Sequence, residues 1–389
     1  MEETRRPWSE ETRLAHDSSH ANAAVSPPIY QTSLFTFANY EALVRRYRGE
    51  TRQPVYSRID NPTVSEFEDK IAMLEGAQAA AAFASGIAAI SNAILSNVQA
   101  GERIVCVKHV YPDTYRLLRG VCAKFGITTE FADGTDTDAV RRKLPGAKLL
   151  YLESPSSWVM QEQGLASIAA FARAENVITI ADNSWASPIF QKPLECGIDL
   201  VVHSATKYLS GHSDTIAGVV AGSEVHVQRI NREVRPYLGA SLSAHDAALL
   251  IRGLRTLPLR MQRHQQSALQ LAQRLTAHPA VSRVHHPGLG RRASSALRGY
   301  GGLFSMEIED NIDIPTFCDA LGIFRLGVSW GGYESLVLPA AVAIDQDATH
   351  NPAIDFAISP RLVRLFVGLE NPEDLWHDLA CALDAGQQG

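Results

Sequence analysis

Three short apolar runs without polar alternation constrain most strongly how this chain can fold. They are KLLYLES (148–154), NVITIAD (176–182) and IDLVVHS (198–204). Strands that are covered on both faces have this pattern, whereas strands with one face in water alternate apolar and polar residues. Because helical patterns separate such runs, we expect a mostly parallel sheet inside an α/β/α domain.

Polar residues stand at the end of each of these runs. They are Glu153 with Ser154, Asp182 with Asn183, and His203 with Ser204. In parallel α/β sheets, ligands bind outside the carboxyl ends of the strands. These polar residues are therefore the first candidates for a catalytic or ligand-binding site.

The length of the chain and its changes of pattern predict three parts. With 389 residues, the chain is longer than a single hydrophobic core usually supports. We expect an extended N-terminal arm over residues 1–60, which are rich in Pro, Ser, Thr and aromatic residues and show little periodicity. A large α/β/α domain over residues 61–255 and a smaller C-terminal α+β domain over residues 256–389 should follow.

The start of the C-terminal part is suggested by helix signals. Ser243 with Asp246 resembles a capping box that opens a helix ending near Leu257. Pro258 suits the first turn of a second helix. This second helix is expected to lead into the C-terminal domain.

Composition argues against several kinds of partner. The chain has 36 Lys and Arg against 42 Asp and Glu, a formal net charge of −6, and no basic run, which disfavours nucleic acids and anionic membranes.

The uncharged stretch 76–101 is long enough to span a membrane, but Gln, Ser and Asn interrupt it. It predicts a buried strand followed by a buried helix. The N-terminal MEETRRPWSEETRLAH has no apolar core, so we expect no signal peptide.

Cysteine and histidine usage predicts neither disulfides nor a metal site. The 5 cysteines are scattered without a CxxC pair, which fits a reducing compartment and favours the cytoplasm. Histidines 278, 285 and 286 show no HxxxH spacing beside a carboxylate. We therefore expect no metal.

Lys207 is the sharpest chemical feature. It follows the third apolar run in ATKYLSGHSD, with the hydroxyls of Ser204 and Thr206 nearby. A desolvated lysine loses proton affinity and can act as an amine nucleophile, and hydroxyls beside it could hold a phosphate. This combination suits pyridoxal phosphate, whose aldehyde forms a Schiff base with lysine. A surface lysine in a loop is the alternative for this residue taken alone.

Two further elements strengthen the pyridoxal phosphate hypothesis. Asp182 ends the preceding run, and a pyridoxal ring nitrogen needs a carboxylate partner. Gly86 and Ile87 lie between an apolar run and an alanine-rich helix pattern, where free amides can bind phosphate. Alone, Asp182 could be a helix cap and Gly86 a plain turn, but the three elements in this order are more specific than any one.

Seven segments together resemble the Cys/Met-metabolism family of pyridoxal-phosphate enzymes. They are YSRIDNPT (56–63), SGIAAI (85–90), YLESP (151–155), IADNSWASPIF (180–190), ATKYLSGHSD (205–214), RGLRTLPLR (252–260) and SWGGYESL (329–336). The resemblance covers essentially the whole chain. It implies fold type I, that of aspartate aminotransferase, with pyridoxal 5'-phosphate as cofactor.

The resemblance also implies roles for residues of the cofactor site. Lys207 would form the Schiff base, Asp182 would bind the pyridine nitrogen, and Tyr111 would stack on the ring and share in proton transfer. The phosphate would be held by the amides of Gly86 and Ile87 and by the hydroxyls of Ser204 and Thr206. Tyr56 and Arg58 would reach the phosphate of a neighbouring subunit, which implies a homo-oligomer with a dimer as catalytic unit, usually a tetramer.

On the substrate side, the resemblance implies four further residues. Arg364, in RLVRLFVGLE, would bind the substrate α-carboxylate, for which a planar guanidinium is well suited. Ser329 and Trp330 would line the pocket, with Tyr237 nearby. Within the family, SWGGYESL and ATKYLSGHSD are most similar to bacterial cystathionine β-lyases, whereas γ-lyases and γ-synthases usually carry leucine in place of Trp330.

The implied function is a carbon–sulfur β-lyase of sulfur amino-acid metabolism, in methionine biosynthesis or transsulfuration. It would cleave cystathionine or a related cysteine S-conjugate to a thiol (homocysteine), pyruvate and ammonia. Ile59, Asp60, Arg116 and Val328 depart from the β-lyase pattern. Arg116 and YSRIDNPT favour the alternative, a γ-lyase or γ-synthase of the cystathionine or methionine γ-lyase type. A non-catalytic pyridoxal-binding regulator is the more distant alternative.

Overall fold

Two β-sheets organise the part of the chain that the computed structural model describes, which is residues 8–16, 23–290 and 296–387. The strands of the first sheet are β1 (Ala79–Phe83), β2 (Arg103–Val107), β3 (Thr128–Ala132), β4 (Leu149–Glu153), β5 (Ile178–Asp182), β6 (Leu200–His203) and β7 (Gly218–Gly222). Those of the second are β8 (Val281–His285), β9 (Leu303–Ile308), β10 (Arg325–Leu326), β11 (Leu336–Pro339) and β12 (Leu362–Phe366).

Sixteen α-helices surround these sheets within the described ranges. They are α1 (Glu10–Ala15), α2 (Tyr40–Tyr47), α3 (Pro62–Glu75), α4 (Gly86–Leu95), α5 (Pro112–Arg116), α6 (Thr137–Lys143), α7 (Leu165–Ala174), α8 (Ser187–Phe190), α9 (Glu224–Arg229), α10 (Arg235–Leu238), α11 (Ala244–Arg255), α12 (Leu257–Thr276), α13 (Ile314–Ala320), α14 (Ala340–Ile344), α15 (Pro352–Asp355) and α16 (Pro372–Gly386). None of the helices in these ranges is both long and apolar enough to cross a membrane.

The first sheet has the strand order β1-β7-β6-β5-β4-β2-β3. Strands β2 to β6 pair in parallel, and β7 lies antiparallel between β1 and β6. The three apolar runs form β4, β5 and β6, as predicted. The sheet is therefore the mostly parallel one that the sequence indicates, and the α/β class is confirmed.

Burial on both faces explains why the runs lack polar alternation. Along β1, Ala81 and Phe83 pack into one hydrophobic cluster, whereas Ala80 and Ala82 pack into another. Successive side chains of a strand point to opposite faces. Both faces of the sheet are thus covered, and the uncharged stretch 76–101 forms the strand β1 and the helix α4, as expected.

The second sheet lies in the C-terminal part, with the order β10-β11-β12-β9-β8. Three of its four pairings are antiparallel. The hydroxyl of Ser243 caps α11 by accepting from the Asp246 amide at 3.0 Å, and Pro258 lies in the first turn of α12. The predicted helix junction is therefore confirmed, with α11 ending at Arg255, two residues before the expected Leu257. The domain boundaries at 60/61 and 255/256 stay predictions.

The N-terminal arm is less extended than the sequence indicates. It contains α1 and α2, which Ser9 and Asn39 cap with their side chains. Leu14 of α1 is fully buried. Helices of six and eight residues are too short to establish a periodic apolar pattern, which explains the difference. Residues 1–7 and 17–22 of the arm lie outside the described residues.

Candidate active site

The carboxyl ends of β4 and β5 bring two carboxylates side by side. Glu153 and Asp182 are register partners. Glu153 accepts a hydrogen bond from the Tyr111 amide at 2.6 Å and one from the Ser157 hydroxyl at 2.7 Å. Burial, together with the charge of Asp182, raises the pKa of Glu153. The sequence placed Glu153 at a strand tip but assigned it no role.

Asp182 is as buried as Glu153, and each is 8% exposed. The Oδ1 atom of Asp182 accepts from the Ser184 amide at 2.9 Å. Tyr151 donates its hydroxyl to Oδ2 at 3.4 Å. Burial raises the pKa of Asp182, against these hydrogen bonds and the nearby His203. This carboxylate is held at the sheet edge where a ligand cation could meet it.

His203 and Glu75 form a buried polar pair at the end of β6, the strand next to that of Asp182. His203 Nε2 lies 2.6 Å from Glu75 Oε1, and the Asn183 side-chain amide donates to the same oxygen at 3.0 Å. His203 and Glu75 are 1% and 0% exposed. No local sequence signal joins residues 128 positions apart. The pair fixes the tip of β6 next to Asp182.

Lys207 lies in the loop after β6. Its Nζ donates to the Ser329 hydroxyl at 2.5 Å and lies 5.4 Å from the centroid of the Trp330 ring. Burial and the charge of Arg364 lower the pKa of Lys207 to about 8, although Asp182 opposes this shift. An amine with such a pKa is partly neutral near neutral pH and can accept a proton. The structure therefore brings Lys207, Ser329 and Trp330 together.

Arg364, on β12, carries a partly buried guanidinium. It pairs with no carboxylate among the described residues, and its Cζ lies 5.2 Å from the centroid of the Trp158 ring. Burial lowers the pKa of Arg364 to about 10, with Tyr111 opposing. A partly buried guanidinium without a carboxylate partner is suited to bind an anionic group of a ligand. Trp158 was missed by sequence reasoning, because SSWVM shows no periodic pattern.

The N-terminus of α4 forms a cradle for an anion. Ser85 caps the helix by accepting from the Ala88 amide at 3.1 Å, and the first-turn amides of Gly86 and Ile87 have no partner within the helix. A Cβ atom on Gly86 would lie 2.9 Å from Ser204 Oγ. The Ser204 hydroxyl therefore lies against these amides, and the three groups fit a phosphate.

Thr206 is placed differently from Ser204. Its hydroxyl donates to the Ala217 carbonyl at 3.1 Å and accepts from the Ala217 amide at 3.0 Å. The hydroxyl hydrogen is therefore used within the chain. The role of Thr206 at the phosphate stays a prediction.

Tyr111 stands at the start of α5. Its hydroxyl donates to Asp113 Oδ2 at 2.7 Å, and Arg116 donates to the other oxygen of Asp113 at 2.8 Å. Sequence reasoning noticed Arg116 but not Asp113. Tyr111 is 39% exposed. The charge of Asp182 raises its pKa, and Tyr111 in turn raises the pKa of Arg364.

Three residues assigned to the site by resemblance lie on the surface. Arg58 places its Cζ 5.0 Å from the centroid of the Tyr56 ring, and both residues are exposed. Tyr237, on α10, is 78% exposed. No hydrogen bond or ring contact joins these three to Lys207 within the described ranges. Their roles stay predictions.

The residues described by the structure contain no group of three or more His, Cys, Asp or Glu side chains arranged to bind a metal. Among these residues the site consists instead of a partly buried amine, a guanidinium that pairs with none of the described carboxylates, two carboxylates and a helix N-terminus. The anion cradle, Asp182 and Lys207 fit the phosphate, the ring nitrogen and the aldehyde of pyridoxal phosphate.

Comparisons with known proteins agree with this geometry. The model of the Cys/Met metabolism PLP-dependent enzyme family matches residues 11–384. The chain is 38% identical to L-methionine gamma-lyase of Pseudomonas putida over 96% of its length and 97% of that enzyme. It is 37% identical to cystathionine beta-lyase of Coxiella burnetii, again over 96% and 97%.

Solved structures of proteins with related names are similar to this chain over nearly all of its length. Cystathionine gamma-lyase from Lactobacillus plantarum, complexed with L-serine, superposes with a TM-score of 0.90 at 35% identity, over 98% of this chain and 100% of that one. Cystathionine gamma synthase from Xanthomonas oryzae pv. oryzae, in complex with aminoacrylate and cysteine, gives 0.91 at 31% identity over 98% and 100%.

Proposed function

The chain belongs to the Cys/Met-metabolism family of pyridoxal-phosphate-dependent enzymes, and we propose that within it the protein is a carbon–sulfur β-lyase. Its substrate is cystathionine or a related cysteine S-conjugate, and its products are a thiol, pyruvate and ammonia. For cystathionine the thiol is homocysteine. The observation that carries this proposal is the position of Lys207, a partly buried amine with a lowered pKa between Ser329 and Trp330.

The chain's own groups would hold the cofactor at both ends. The amides of Gly86 and Ile87 and the hydroxyl of Ser204 would bind its phosphate, and Asp182 would bind its ring nitrogen. Lys207 would meet its aldehyde. When bound, pyridoxal phosphate supplies an electron sink that stabilises a carbanion at the substrate Cα.

Arg364 orients the substrate. Its guanidinium lacks a carboxylate partner among the described residues and rests on Trp158, so it is available for a bidentate contact with the substrate α-carboxylate. This contact fixes the Cα–H bond relative to Lys207. The indole of Trp330 lies beside Lys207, with its ring centroid 5.4 Å from Nζ.

Lys207 performs the proton transfer. In its neutral form Nζ accepts the proton from Cα, and the electron pair of the C–H bond is delocalised. The Cβ–S bond then breaks, and its electron pair leaves with sulfur as a thiolate, which takes a proton. The three-carbon remainder reacts with water to give pyruvate and ammonia.

A γ-lyase is the second candidate, favoured by the 38% identity to methionine gamma-lyase. Arg116, which departs from the β-lyase pattern, also supports it. The two activities differ in their keto acid, because β-elimination gives pyruvate whereas γ-elimination gives 2-oxobutyrate. Trp330 supports the β-lyase, since γ-type relatives usually carry leucine there.

A keto-acid assay with cystathionine, cystine, cysteine, homoserine and methionine separates the candidates. Pyruvate from cystathionine or cystine, without 2-oxobutyrate from methionine or homoserine, supports the β-lyase. If only the γ-substituted substrates react, the β-lyase proposal fails and the γ-lyase replaces it.

We also propose that the active unit is a homodimer, and that two dimers form a tetramer. Large apolar side chains on the arm and on α10 are exposed, with Leu34 at 53% and Tyr237 at 78%, and exposed apolar patches often mark interfaces. Light scattering coupled to size exclusion tests this proposal. A cytoplasmic location is proposed from the cysteines, which are all free.

A further inference from the structure

Trp158 lies in a tight loop after β4 and adopts a backbone conformation that is an outlier for a bulky side chain. Its φ is +64°, and that of Met160 is +49°, both in the left-handed region that residues other than glycine seldom take. The loop is closed by the Ser156 amide, which donates to the Gln161 carbonyl at 2.9 Å, and by the Gln161 amide, which donates to the Ser156 hydroxyl at 3.1 Å. Residues in such conformations persist where the surrounding structure fixes them, and they cluster at active sites and ligand clamps.

Glu153 fastens this loop to the cofactor side of the site. The hydroxyl of Ser157, the residue before Trp158, donates to Glu153 Oε1 at 2.7 Å. The other oxygen of the same carboxylate accepts from the Tyr111 amide at 2.6 Å. Because Glu153 is only 8% exposed, this double contact gives the loop a fixed start at the end of β4.

The loop places the indole of Trp158 against the second sheet. Trp158 is 4% exposed and belongs to a hydrophobic cluster whose other buried members come from the C-terminal part of the chain, Ala340, Ala353, Ile358 and Leu362. Leu362 and Arg364 are two residues apart on β12 and therefore point to the same face of that strand. The Cζ atom of Arg364 lies over the indole, 5.2 Å from its centroid. A loop that follows the first sheet thus supports a guanidinium carried by the second.

We propose that Trp158 is a positioning residue for Arg364, which it holds by the face of the guanidinium so that the N–H groups are presented to the α-carboxylate of the substrate. A cation over an indole is attracted by the negative face of the ring. The N–H donors of arginine lie in the plane of the guanidinium, so contact with a ring leaves them available for a bidentate carboxylate. The inference deepens the proposed function, because it rests on Arg364 as the carboxylate-binding group. It does not depend on whether elimination occurs at Cβ or Cγ.

A purely structural role for Trp158 predicts a different behaviour. If the indole only fills the hydrophobic cluster, its loss would lower stability and would not discriminate between ligands with and without a carboxylate. A matched pair elsewhere in the chain serves as a control, since the Cζ atom of Arg274 lies 5.5 Å from the centroid of the Trp376 ring. Arg274 also donates to Glu373, whereas Arg364 pairs with no carboxylate among the described residues.

The test compares two ligands of the holoenzyme that differ only at the carboxylate. L-alanine has an α-carboxylate and no leaving group at Cβ, whereas L-alaninamide carries a neutral amide in its place. The absorbance of the bound cofactor reports the binding of each. We expect Trp158→Leu to weaken the binding of L-alanine about tenfold and to leave that of L-alaninamide unchanged. Trp158→Phe, which keeps an aromatic face, should stay within about threefold of wild type for both ligands.

A double-mutant cycle links the effect to Arg364. In the Arg364→Gln background the group to be positioned is absent, so Trp158→Leu should change the affinity for L-alanine by less than about twofold. Trp376→Leu should leave the affinities for both ligands unchanged.

Three results overturn the proposal. They are an unchanged affinity for L-alanine in Trp158→Leu, an equal loss for L-alanine and L-alaninamide, and a loss that adds in full to that of Arg364→Gln. If Trp158→Leu does not fold, Trp158→Met takes its place in the comparison with Trp158→Phe, since methionine also lacks a ring. No keto acid is measured in these titrations, so a failure of the proposed function is recognised separately.

Discussion

Lys207 donates a hydrogen bond to Ser329, although the two residues are 122 positions apart in the chain. Ser329 has a φ of +79°, a left-handed conformation that is uncommon for residues other than glycine. Two residues later, a Cβ atom on Gly331 would lie 2.8 Å from the Lys207 Cα. The loop between β10 and β11 therefore lies directly on the lysine that follows β6, and the site is formed by both sheets.

Ser329→Ala should impair catalysis without unfolding the protein. It removes the acceptor that orients Lys207, and a hydrogen bond to a charged group contributes about 1.5–3 kcal/mol. We expect kcat/KM to fall by about 10- to 100-fold, measured by keto-acid release. Ser282→Ala is the control, because that hydroxyl donates to the Glu307 carbonyl at the edge of the second sheet. Equal kcat/KM in Ser329→Ala and wild type would contradict the role of this contact.

Arg364→Gln should change both substrate binding and the pH profile. Wild-type kcat should rise with pH through about 8, the pKa of the free Lys207 amine, because the amine that the substrate releases must be neutral to accept a proton. The charge of Arg364 lowers this pKa, so its removal should shift the rising limb to higher pH. KM should also increase, since a bidentate carboxylate contact is lost. Arg325→Gln, on the exposed strand β10, should change neither KM nor the pH at which the rate rises. If Arg364→Gln leaves that pH unchanged, the charge of Arg364 does not act on the pKa of Lys207.

Gly86→Ala should weaken cofactor binding. The new Cβ would lie 2.9 Å from both Cβ and Oγ of Ser204, which narrows the cradle at the N-terminus of α4. We expect the affinity for pyridoxal phosphate to fall about tenfold or more, equal to about 1.4 kcal/mol, in an absorbance titration of the apoenzyme. Gly120→Ala is matched in size but meets nothing closer than 3.8 Å. Comparable affinity in the two variants would place the phosphate elsewhere.

The sequence predicts those parts of the site that depend on the sheet. Asp182 and Lys207 follow β5 and β6, and adjacent parallel strands bring their ends to one edge. The apolar runs identify these strands because both faces are buried. The sequence also predicts Gly86 at a helix N-terminus after a strand. Its position beside Ser204 was implied only by the family resemblance, because β7 lies between β1 and β6.

Contacts between distant segments could not be predicted from residue patterns. The position of Trp158 under Arg364 and the pairing of Glu75 with His203 depend on how separate elements pack. Ser329 and Trp330 were identified only through family resemblance. Asp113 was missed because an acid at the start of a helix is ordinarily a helix-stabilising residue, and only the position of the Tyr111 hydroxyl distinguishes it.

The most direct measurement is the keto acid released from cystathionine by wild type, Lys207→Ala and Lys148→Ala. Lys148 is exposed just before β4, so its variant controls for loss of a lysine. The account predicts pyruvate and homocysteine from wild type and Lys148→Ala, and no enzymatic pyruvate from Lys207→Ala. Release of 2-oxobutyrate by wild type, or pyruvate at the wild-type rate from Lys207→Ala, would contradict it.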